Sequence, residues 1–198
     1  MKKLDLSNNF LSTIPLEIAF AESLGTLRIS NNSFQAIPAV VFTMKSLQNL
    51  YLDGNNITYV GEEIGNLKEL ADLTLHNNVQ IRSIPSAIGA IRRLDYFDIR
   101  NNTIAALPEE IANLPLRIGL YLSNNPICSN GWLDKSANLG VKAAAEKMPG
   151  AGCNEQCSPY CAFWLREMFA MCTRECDSSN CKFHDGHCAQ GNYPYMEG

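Results

Sequence analysis

The first 127 residues contain no cysteine, although the chain has eight. All of them lie between Cys128 and Cys188, and seven fall after residue 152. Such a shift in composition marks a domain boundary. The sequence therefore predicts three parts, namely a body over residues 1–127, a cap and linker over 128–152, and a cysteine-rich module over 153–198.

Long apolar runs and clusters of one charge are also missing. The longest apolar stretches, such as 39–42 and 161–165, are far below the roughly 18 to 20 residues that a membrane span requires. No apolar core follows the charged start Met1-Lys2-Lys3, so the printed sequence shows no secretory signal. The 16 basic residues are scattered among 20 acidic ones, which leaves no basic patch for a nucleic acid. We expect neither a membrane span in this chain nor a nucleic-acid partner.

Catalytic signatures are absent too. The chain has three histidines, of which His76 is isolated while His184 and His187 lie in the cysteine-rich module. No nucleophile elbow, HExxH zinc motif, phosphate-binding loop or dinucleotide fingerprint occurs. The close cysteines are spaced CxxxC rather than CxxC, which argues against thiol-redox chemistry. The sequence predicts that the protein is not an enzyme and has no catalytic cofactor.

A repeated Leu-x-Leu-x-x-Asn unit is the strongest signal in the body. Its first copy is Leu4-Asp5-Leu6-Ser7-Asn8-Asn9, and five further copies follow. The last asparagines of the copies stand at positions 9, 32, 55, 78, 102 and 125, so the period is 23 residues with one step of 24. A period of this size indicates stacked structural repeats that share one core.

The unit resembles the core pattern LxxLxLxxNxL of the leucine-rich-repeat family over positions 1–127. The resemblance implies an α/β solenoid, a right-handed superhelix of about six repeats. In that fold each Leu-x-Leu strand adds one rung to a parallel sheet, with its leucines in the core. The asparagine stands where the chain leaves the strand, and its buried amide bonds to backbone groups of neighbouring turns.

The return half of each repeat is also regular. Four repeats place a proline after an apolar residue, at Ile14-Pro15, Ile37-Pro38, Ile84-Pro85 and Leu107-Pro108. Proline there predicts a short helical or 3₁₀ segment on the convex side. The third repeat departs from this pattern with Val60-Gly61. The fourth has one extra residue between Asn78 and Ile84, which we expect to bulge into the loop without breaking the stack.

Side chains between and beside the strand leucines are expected to face outward on the concave side, where packing does not need them. Tyrosine and arginine, which are enriched in interface hot spots, recur there. We expect a monomer that binds a protein or peptide on this face through Arg28, Asn49, Tyr51, Asp53, Asp72, His76, Tyr96, Asp98, Arg100 and Tyr121. The expected centre consists of Tyr51, Asp53, His76, Tyr96, Asp98 and Arg100. The alternative is an ordinary solvated surface.

The two ends of a solenoid must cover their apolar sides. After Cys128, the pair Trp132-Leu133 and a short helix expected over 137–148 indicate a C-terminal cap. No repeat precedes Leu4, so the first strand is expected to leave its edge and its apolar side open to water. We therefore expect that the natural protein extends further in the N-terminal direction or that this chain is a truncated product.

The spacings of three, four and six residues that separate the last four cysteines resemble the Notch-type repeat, a small calcium-binding module with three disulfides. On the order of a hundred pairings of eight cysteines are open from sequence alone. The resemblance implies that Cys157 pairs with Cys181, Cys161 with Cys176, and Cys172 with Cys188. Cys128 and Cys153 then remain to close the cap as a fourth bond.

The same resemblance implies a calcium site with Asp177 and Asp185 as its candidate ligands. The family places aspartates three and six residues after the fifth cysteine, where this chain has His184 and His187. Calcium prefers oxygen ligands, so the two imidazoles count against it. Zinc bound by these histidines and by thiolates is the alternative.

The cysteine cluster also bears on the compartment. Disulfides persist in oxidising compartments, which favours a secreted protein or the ectodomain of a membrane protein. Glycosylation sequons at Asn31, Asn56 and Asn101 are compatible with that location, although the repeat itself generates Asn-Asn strings. We expect a receptor-like or secreted recognition module that acts in signalling. The alternative is an intracellular scaffold or signalling adaptor whose cysteines are reduced or bind zinc.

Overall fold

The computed structural model describes residues 1–130. Within them, six short strands form one parallel sheet in which each strand pairs with the next one in the chain. The strands are β1 (Lys3–Asp5), β2 (Thr26–Arg28), β3 (Asn49–Tyr51), β4 (Asp72–Thr74), β5 (Tyr96–Asp98) and β6 (Gly119–Tyr121). The register is uniform, because the middle residues of neighbouring strands oppose each other, as Leu27 opposes Leu50. The sheet confirms the parallel rungs expected from the repeat.

A 3₁₀ helix follows every strand. The helices are η1 (Leu16–Phe20), η2 (Ala39–Thr43), η3 (Glu62–Asn66), η4 (Ser86–Ala90), η5 (Glu109–Asn113) and η6 (Pro126–Cys128). Four of them begin directly after a proline, as predicted. In the third repeat Gly61 adopts the same extended conformation, with φ −75° and ψ 160°, so the helix forms without proline. None of the helices among residues 1–130 is long and apolar enough to cross a membrane.

One continuous apolar cluster fills the interior of the stack. The two inward residues of the second strand region, Leu27 and Ile29, are fully buried, and so are Leu50 and Leu52 one repeat further on. Complete burial of one such side chain stabilises the fold by roughly 1.5–3 kcal/mol. Because no repeat encloses its own leucines, this stabilisation depends on stacking against neighbours.

The asparagines at the end of each Leu-x-Leu unit form a ladder inside the turn. The Asn55 amide nitrogen donates to the carbonyl oxygens of Ile29 at 3.0 Å and Leu52 at 2.9 Å. Its Oδ1 accepts from the backbone N–H of Phe34 at 3.1 Å. Equivalent bonds recur at Asn32, Asn78 and Asn125. The structural role predicted for the buried asparagines is confirmed. The prediction is wrong for Asn9, which is exposed and bonds only to the carbonyl oxygens of Leu6 and Ser7 in its own turn.

The extra residue of the fourth repeat is absorbed in the turn after Asn78. Val79 adopts a left-handed backbone with φ 35° and is 60% exposed. The stack continues past it, since β4 and β5 keep their register. However, the buried Oδ1 of Asn102 has no hydrogen-bond partner among the described residues. In the other buried rungs this oxygen accepts a backbone N–H from the preceding repeat, so the insertion interrupts the ladder at one bond.

The first repeat exposes several large apolar side chains. Phe10 is 96% exposed, Phe20 84% and Leu16 73%. At the other end, Cys128 closes η6 and is half of a disulfide. Its expected partner Cys153, the cap helix over 137–148 and the remaining three pairings lie outside the described residues and stay predictions.

Candidate functional site

The side chains that point away from the core form what we call the outer sheet face. Along each strand the side chains alternate, so a residue between two buried neighbours faces outward. Arg28 lies between the fully buried Leu27 and Ile29 and is half-buried itself. The register aligns this central column across the sheet as Asp5, Arg28, Tyr51, Thr74, Asp98 and Tyr121.

Asp53 connects three repeats at the middle of this face. Its Oδ1 accepts hydrogen bonds from the hydroxyls of Ser30 at 2.8 Å and Thr74 at 2.7 Å. Its Oδ2 lies 3.7 Å from the Nε2 of His76. About a fifth of each of these two side chains is accessible, with 19% for Asp53 and 21% for His76. The carboxylate is therefore fixed in position while one edge of the pair still meets solvent.

Arg28 lies over the ring of Tyr51 on the neighbouring strand, with 4.3 Å from its guanidinium carbon to the ring centroid. This is a cation–π distance. The positive charge of Arg28 also acts on Asp5, one repeat earlier. Burial would raise the pKa of Asp5, but hydrogen bonds from Ser7 and the charges of Arg28 and Lys3 bring it below its usual value. The N-terminal half of the face thus alternates negative, positive and aromatic groups.

The C-terminal half of the face holds a buried polar cluster, which we call the Tyr96 cluster and which consists of Tyr96, Asp98, Arg100 and Tyr121. Asp98 is 0% exposed and binds Arg100 through two bonds of 2.9 and 2.5 Å. The hydroxyl of Tyr96 donates to Asp98 at 3.2 Å. The rings of Tyr96 and Tyr121 lie 5.2 Å apart, and Arg100 lies 5.3 Å from the Tyr121 ring centroid.

Burial sets the ionisation of this cluster. It raises the pKa of Tyr96 well above its usual value, and the negative charge of Asp98 raises it further. The pKa of Tyr121 is raised for the same two reasons. Burial disfavours the charge on Arg100, but the hydrogen bonds and the charge of Asp98 outweigh it and raise the pKa of Arg100. Both phenols therefore stay neutral and the guanidinium stays charged at neutral pH.

The ten predicted binding residues divide into two groups by exposure. Four of them are half-buried and keep contact with solvent, namely Arg28, Asn49, Asp53 and His76. The other six are buried, namely Tyr51, Asp72, Tyr96, Asp98, Arg100 and Tyr121. Three of the six residues of the expected centre belong to the Tyr96 cluster. The accessible groups are thus concentrated on β2, β3 and the ends of β3 and β4.

Sequence reasoning did not single out the side chains that hold Asp53, nor a second row of asparagines. The alternation of side chains along a strand puts Ser30 and Thr74 on this face, but their bonds to Asp53 depend on distances between strands. The second row stands one residue before the buried ladder, and its members have a left-handed backbone with φ between 52° and 59° at Asn8, Asn31, Asn77, Asn101 and Asn124. The recurrent Asn-Asn pair was the available signal, because asparagine tolerates this conformation.

The described residues offer little for catalysis or metal binding. Over residues 1–130 no group of three or more His, Cys, Asp or Glu side chains could hold a metal ion. The hydroxyl of Ser30 donates to Asp53 and not to His76, so serine, histidine and carboxylate do not form a relay. The candidate calcium ligands Asp177 and Asp185 lie outside the described residues and stay a prediction.

The sheet, the 3₁₀ helices and the buried asparagine ladder together define the fold as a leucine-rich-repeat solenoid. Models of the leucine-rich repeat match residues 1–20 and 22–80 of the chain. Among curated proteins no sequence matches it.

Several solved leucine-rich-repeat structures are similar to the chain. A leucine-rich-repeat protein of Leptospira interrogans is 35% identical, with a TM-score of 0.61 over 64% of this chain and 32% of its own. The plant peptide hormone receptor RGFR1, in complex with RGF2, is 28% identical, with a TM-score of 0.56 over 63% and 21%. The Arabidopsis receptor kinase HAESA, in complex with the peptide hormone IDA and the co-receptor SERK1, is 28% identical, with a TM-score of 0.54 over 62% and 22%. The chain spans about a third or less of the length of these proteins.

Proposed function

We propose that residues 1–130 are a non-catalytic recognition module that binds a protein or peptide on the outer sheet face, the concave side of a leucine-rich-repeat solenoid. Two of the similar structures are plant receptors in complex with peptide hormones. That likeness supports a peptide or protein as the ligand class. We further propose that the module belongs to a receptor-like or secreted extracellular protein.

The observation that carries this proposal is the fixed Asp53 at the centre of the face. Two hydroxyls from the neighbouring repeats hold its carboxylate, and His76 lies beside it. A group that is already immobilised loses little conformational entropy when a ligand binds. Arg28, stacked on Tyr51, supplies a second ordered group of a type enriched in hot spots. Fixed polar groups with accessible edges suit the recognition of a defined partner.

The buried Tyr96 cluster has a supporting role in this proposal. Its hydrogen bonds join Tyr96 and Arg100 to Asp98 at the end of β5, and ring contacts connect it to Tyr121 on β6. We therefore place the main ligand contacts on Arg28, Asn49, Asp53 and His76, and we assign Tyr96, Asp98, Arg100 and Tyr121 to the border of the site. A rigid platform holds its accessible side chains in one geometry.

A peptide selected from a random display library against the full chain serves as the probe. Binding of this peptide is measured by biolayer interferometry to the parent chain and to Arg28→Ala, Asp53→Ala and His76→Ala. Each variant removes one accessible group from the outer sheet face. We expect at least one of them to weaken binding by about tenfold or more, which corresponds to about 1.4 kcal/mol.

Matched controls come from exposed charges on the helix side of the same repeats. Lys45→Ala and Glu63→Ala remove a basic and an acidic side chain beside η2 and within η3. Both should bind the probe like the parent chain. If the two controls weaken binding while the three sheet variants do not, the ligand face is assigned to the wrong side. Circular dichroism of each variant confirms that the fold is intact.

The compartment is tested separately. Mass spectrometry of the natural protein, alkylated before reduction, counts its free thiols. An extracellular protein with the expected pairings has no free thiol among its eight cysteines. Eight alkylated cysteines, or zinc that co-purifies in a fixed ratio, would support the intracellular scaffold instead.

A further inference from the structure

The three sequons of the repeat body differ in what their asparagine amides do. They are Asn31-Asn32-Ser33, Asn56-Ile57-Thr58 and Asn101-Asn102-Thr103. All three match the Asn-x-Ser/Thr pattern, so the pattern alone does not distinguish them. N-linked glycosylation needs an accessible side-chain nitrogen, because a bulky sugar replaces one of its hydrogens.

The amides of Asn31 and Asn101 belong to the second row of asparagines. The Nδ2 of Asn31 donates to the Oδ1 of Asn8 at 3.0 Å. On its other side the amide packs against the backbone of Gly54, where an added Cβ would lie 2.1 Å from the Asn31 Oδ1. A sugar on this nitrogen would therefore stand between two stacked repeats.

Asn101 is held on both sides. Its Nδ2 donates to the Oδ1 of Asn77 at 2.6 Å, and its Oδ1 accepts from the Nδ2 of Asn124 at 2.7 Å. The hydroxyl of its sequon residue Thr103 is also engaged, with the carbonyl oxygen of Ile81 at 3.0 Å. A glycan at this position would disturb bonds that join three repeats.

Asn56 stands outside both asparagine rows. It is exposed, as Asn31 also is, but its backbone does not adopt the left-handed conformation of Asn31 and Asn101. Only its backbone N–H is used, in a bond of 2.9 Å to the carbonyl oxygen of Phe34. Within residues 1–130 its side-chain amide and the hydroxyl of the exposed Thr58 make no hydrogen bond. The fold therefore leaves both functional groups of this sequon available.

We infer that Asn56 is the N-glycosylation site of the folded solenoid, whereas the side-chain amides of Asn31 and Asn101 hold neighbouring repeats together through hydrogen bonds. The donor is an oligosaccharide activated as a lipid-linked pyrophosphate. A bond forms between the Asn56 Nδ2 and the anomeric carbon, and the bond from that carbon to the pyrophosphate oxygen breaks. The amide nitrogen loses one proton, the lipid pyrophosphate leaves, and nothing is oxidised or reduced. The inference rests on the proposed extracellular location.

The full chain, fused to a signal sequence and produced in a eukaryotic cell line, tests the inference. The purified secreted protein is treated with peptide N-glycosidase in ¹⁸O water, which converts each glycosylated asparagine to labelled aspartate. Peptide mass spectrometry should find the label at Asn56 in most molecules and at Asn31 and Asn101 in few or none. An unlabelled Asn56, or predominant labelling of either other site, overturns the inference.

Three variants complete the design. Asn56→Gln should remove one glycan mass and leave the melting temperature of the enzymatically deglycosylated chain within about 1 °C. Asn31→Gln and Asn101→Gln should retain the glycan and melt at lower temperature. If little protein is secreted, the chain retained in the membrane-enclosed compartments of the cells is purified, treated with the same glycosidase in ¹⁸O water and analysed by peptide mass spectrometry. The readout needs no ligand, so its failure is distinct from a failure of peptide binding on the outer sheet face.

Discussion

At the end of β5 the guanidinium of Arg100 and the carboxylate of Asp98 lie side by side, two residues apart, with Nε 2.9 Å from Oδ1 and Nη2 2.5 Å from Oδ2. Neither group is freely solvated, since the side chains are 11% and 0% exposed. A further bond to Asp98 comes from the Tyr96 hydroxyl. This carboxylate is thus the common acceptor of the Tyr96 cluster.

Asp98→Ala should strongly destabilise the solenoid. It leaves the Arg100 charge largely buried without a counter-charge and the Tyr96 hydroxyl without its acceptor. Breaking a buried pair in this way costs about 3–5 kcal/mol, and removal of both partners costs less. Urea unfolding followed by circular dichroism measures the loss, and Asp98→Ala/Arg100→Ala should recover part of it. An equal loss in the single and double variants would show that the charge is not what matters.

The stability of the fold should decrease above about pH 10. In the unfolded chain, tyrosines lose their proton near pH 10, whereas burial and Asp98 raise the pKa of Tyr96 and Tyr121 in the folded state. Above pH 10 the unfolded state therefore releases protons that the folded state keeps, so stability that is complete below this pH is lost as the pH rises. Absorbance at 295 nm of the parent chain, compared with Tyr96→Phe and Tyr121→Phe, should show that these two phenols titrate only with unfolding. Titration of either phenol before the loss of circular dichroism would contradict the assignment.

The two phenols of the cluster should respond differently to loss of the hydroxyl. The buried Tyr121 hydroxyl has no hydrogen-bond partner in the described part of the chain, so Tyr121→Phe removes a desolvated polar group. Tyr96→Phe removes the 3.2 Å bond to Asp98. We expect Tyr121→Phe to be neutral or stabilising by up to about 1 kcal/mol and Tyr96→Phe to destabilise by about 1–2 kcal/mol. The reverse order in urea unfolding would be incompatible with this hydrogen-bond pattern.

Much of this architecture follows from the sequence because the 23-residue period constrains it. The leucines and the ladder asparagines repeat with one spacing, and each has only one place in a stacked rung. The face of the sheet on which the side chains of Arg28 and Asp53 lie follows from the alternation along the strands. The bonds that fix Asp53 and the burial of Asp98 and Tyr121 do not follow, because the period gives the side on which a residue lies but not how its neighbours fill the space. The second row of asparagines has a signal in the sequence, the recurrent Asn-Asn pair, but the pair does not give the hydrogen bonds that join the row from repeat to repeat.

Val79→Gly should stabilise the fold. Val79 is a β-branched residue with φ 35°, a conformation that costs non-glycine residues about 1–2 kcal/mol. Its side chain is 60% exposed, so little packing is lost. We expect a gain of about 1 kcal/mol, against a loss of about 0.5–1 kcal/mol for Thr13→Gly, an exposed β-branched residue with ordinary backbone. Similar losses in both variants would show that Val79 is not strained.

Asn55→Ala and Asn9→Ala compare a buried rung of the ladder with an exposed one. Asn55 satisfies backbone groups of two repeats, whereas Asn9 is exposed and bonds only within its own turn. We expect Asn55→Ala to lower the free energy of unfolding by about 2–4 kcal/mol and Asn9→Ala by about 0.5 kcal/mol or less. Comparable losses at the two sites would mean that the buried ladder does not hold the stack together.

Hydrogen–deuterium exchange of the full chain, with and without the selected peptide, tests the recognition surface most directly. If the outer sheet face binds the ligand, added protection should appear over 26–30, 49–53 and 72–76 and be absent over 39–45 and 62–66. Protection confined to the 3₁₀ helices, with unchanged exchange along the strands, would contradict the account.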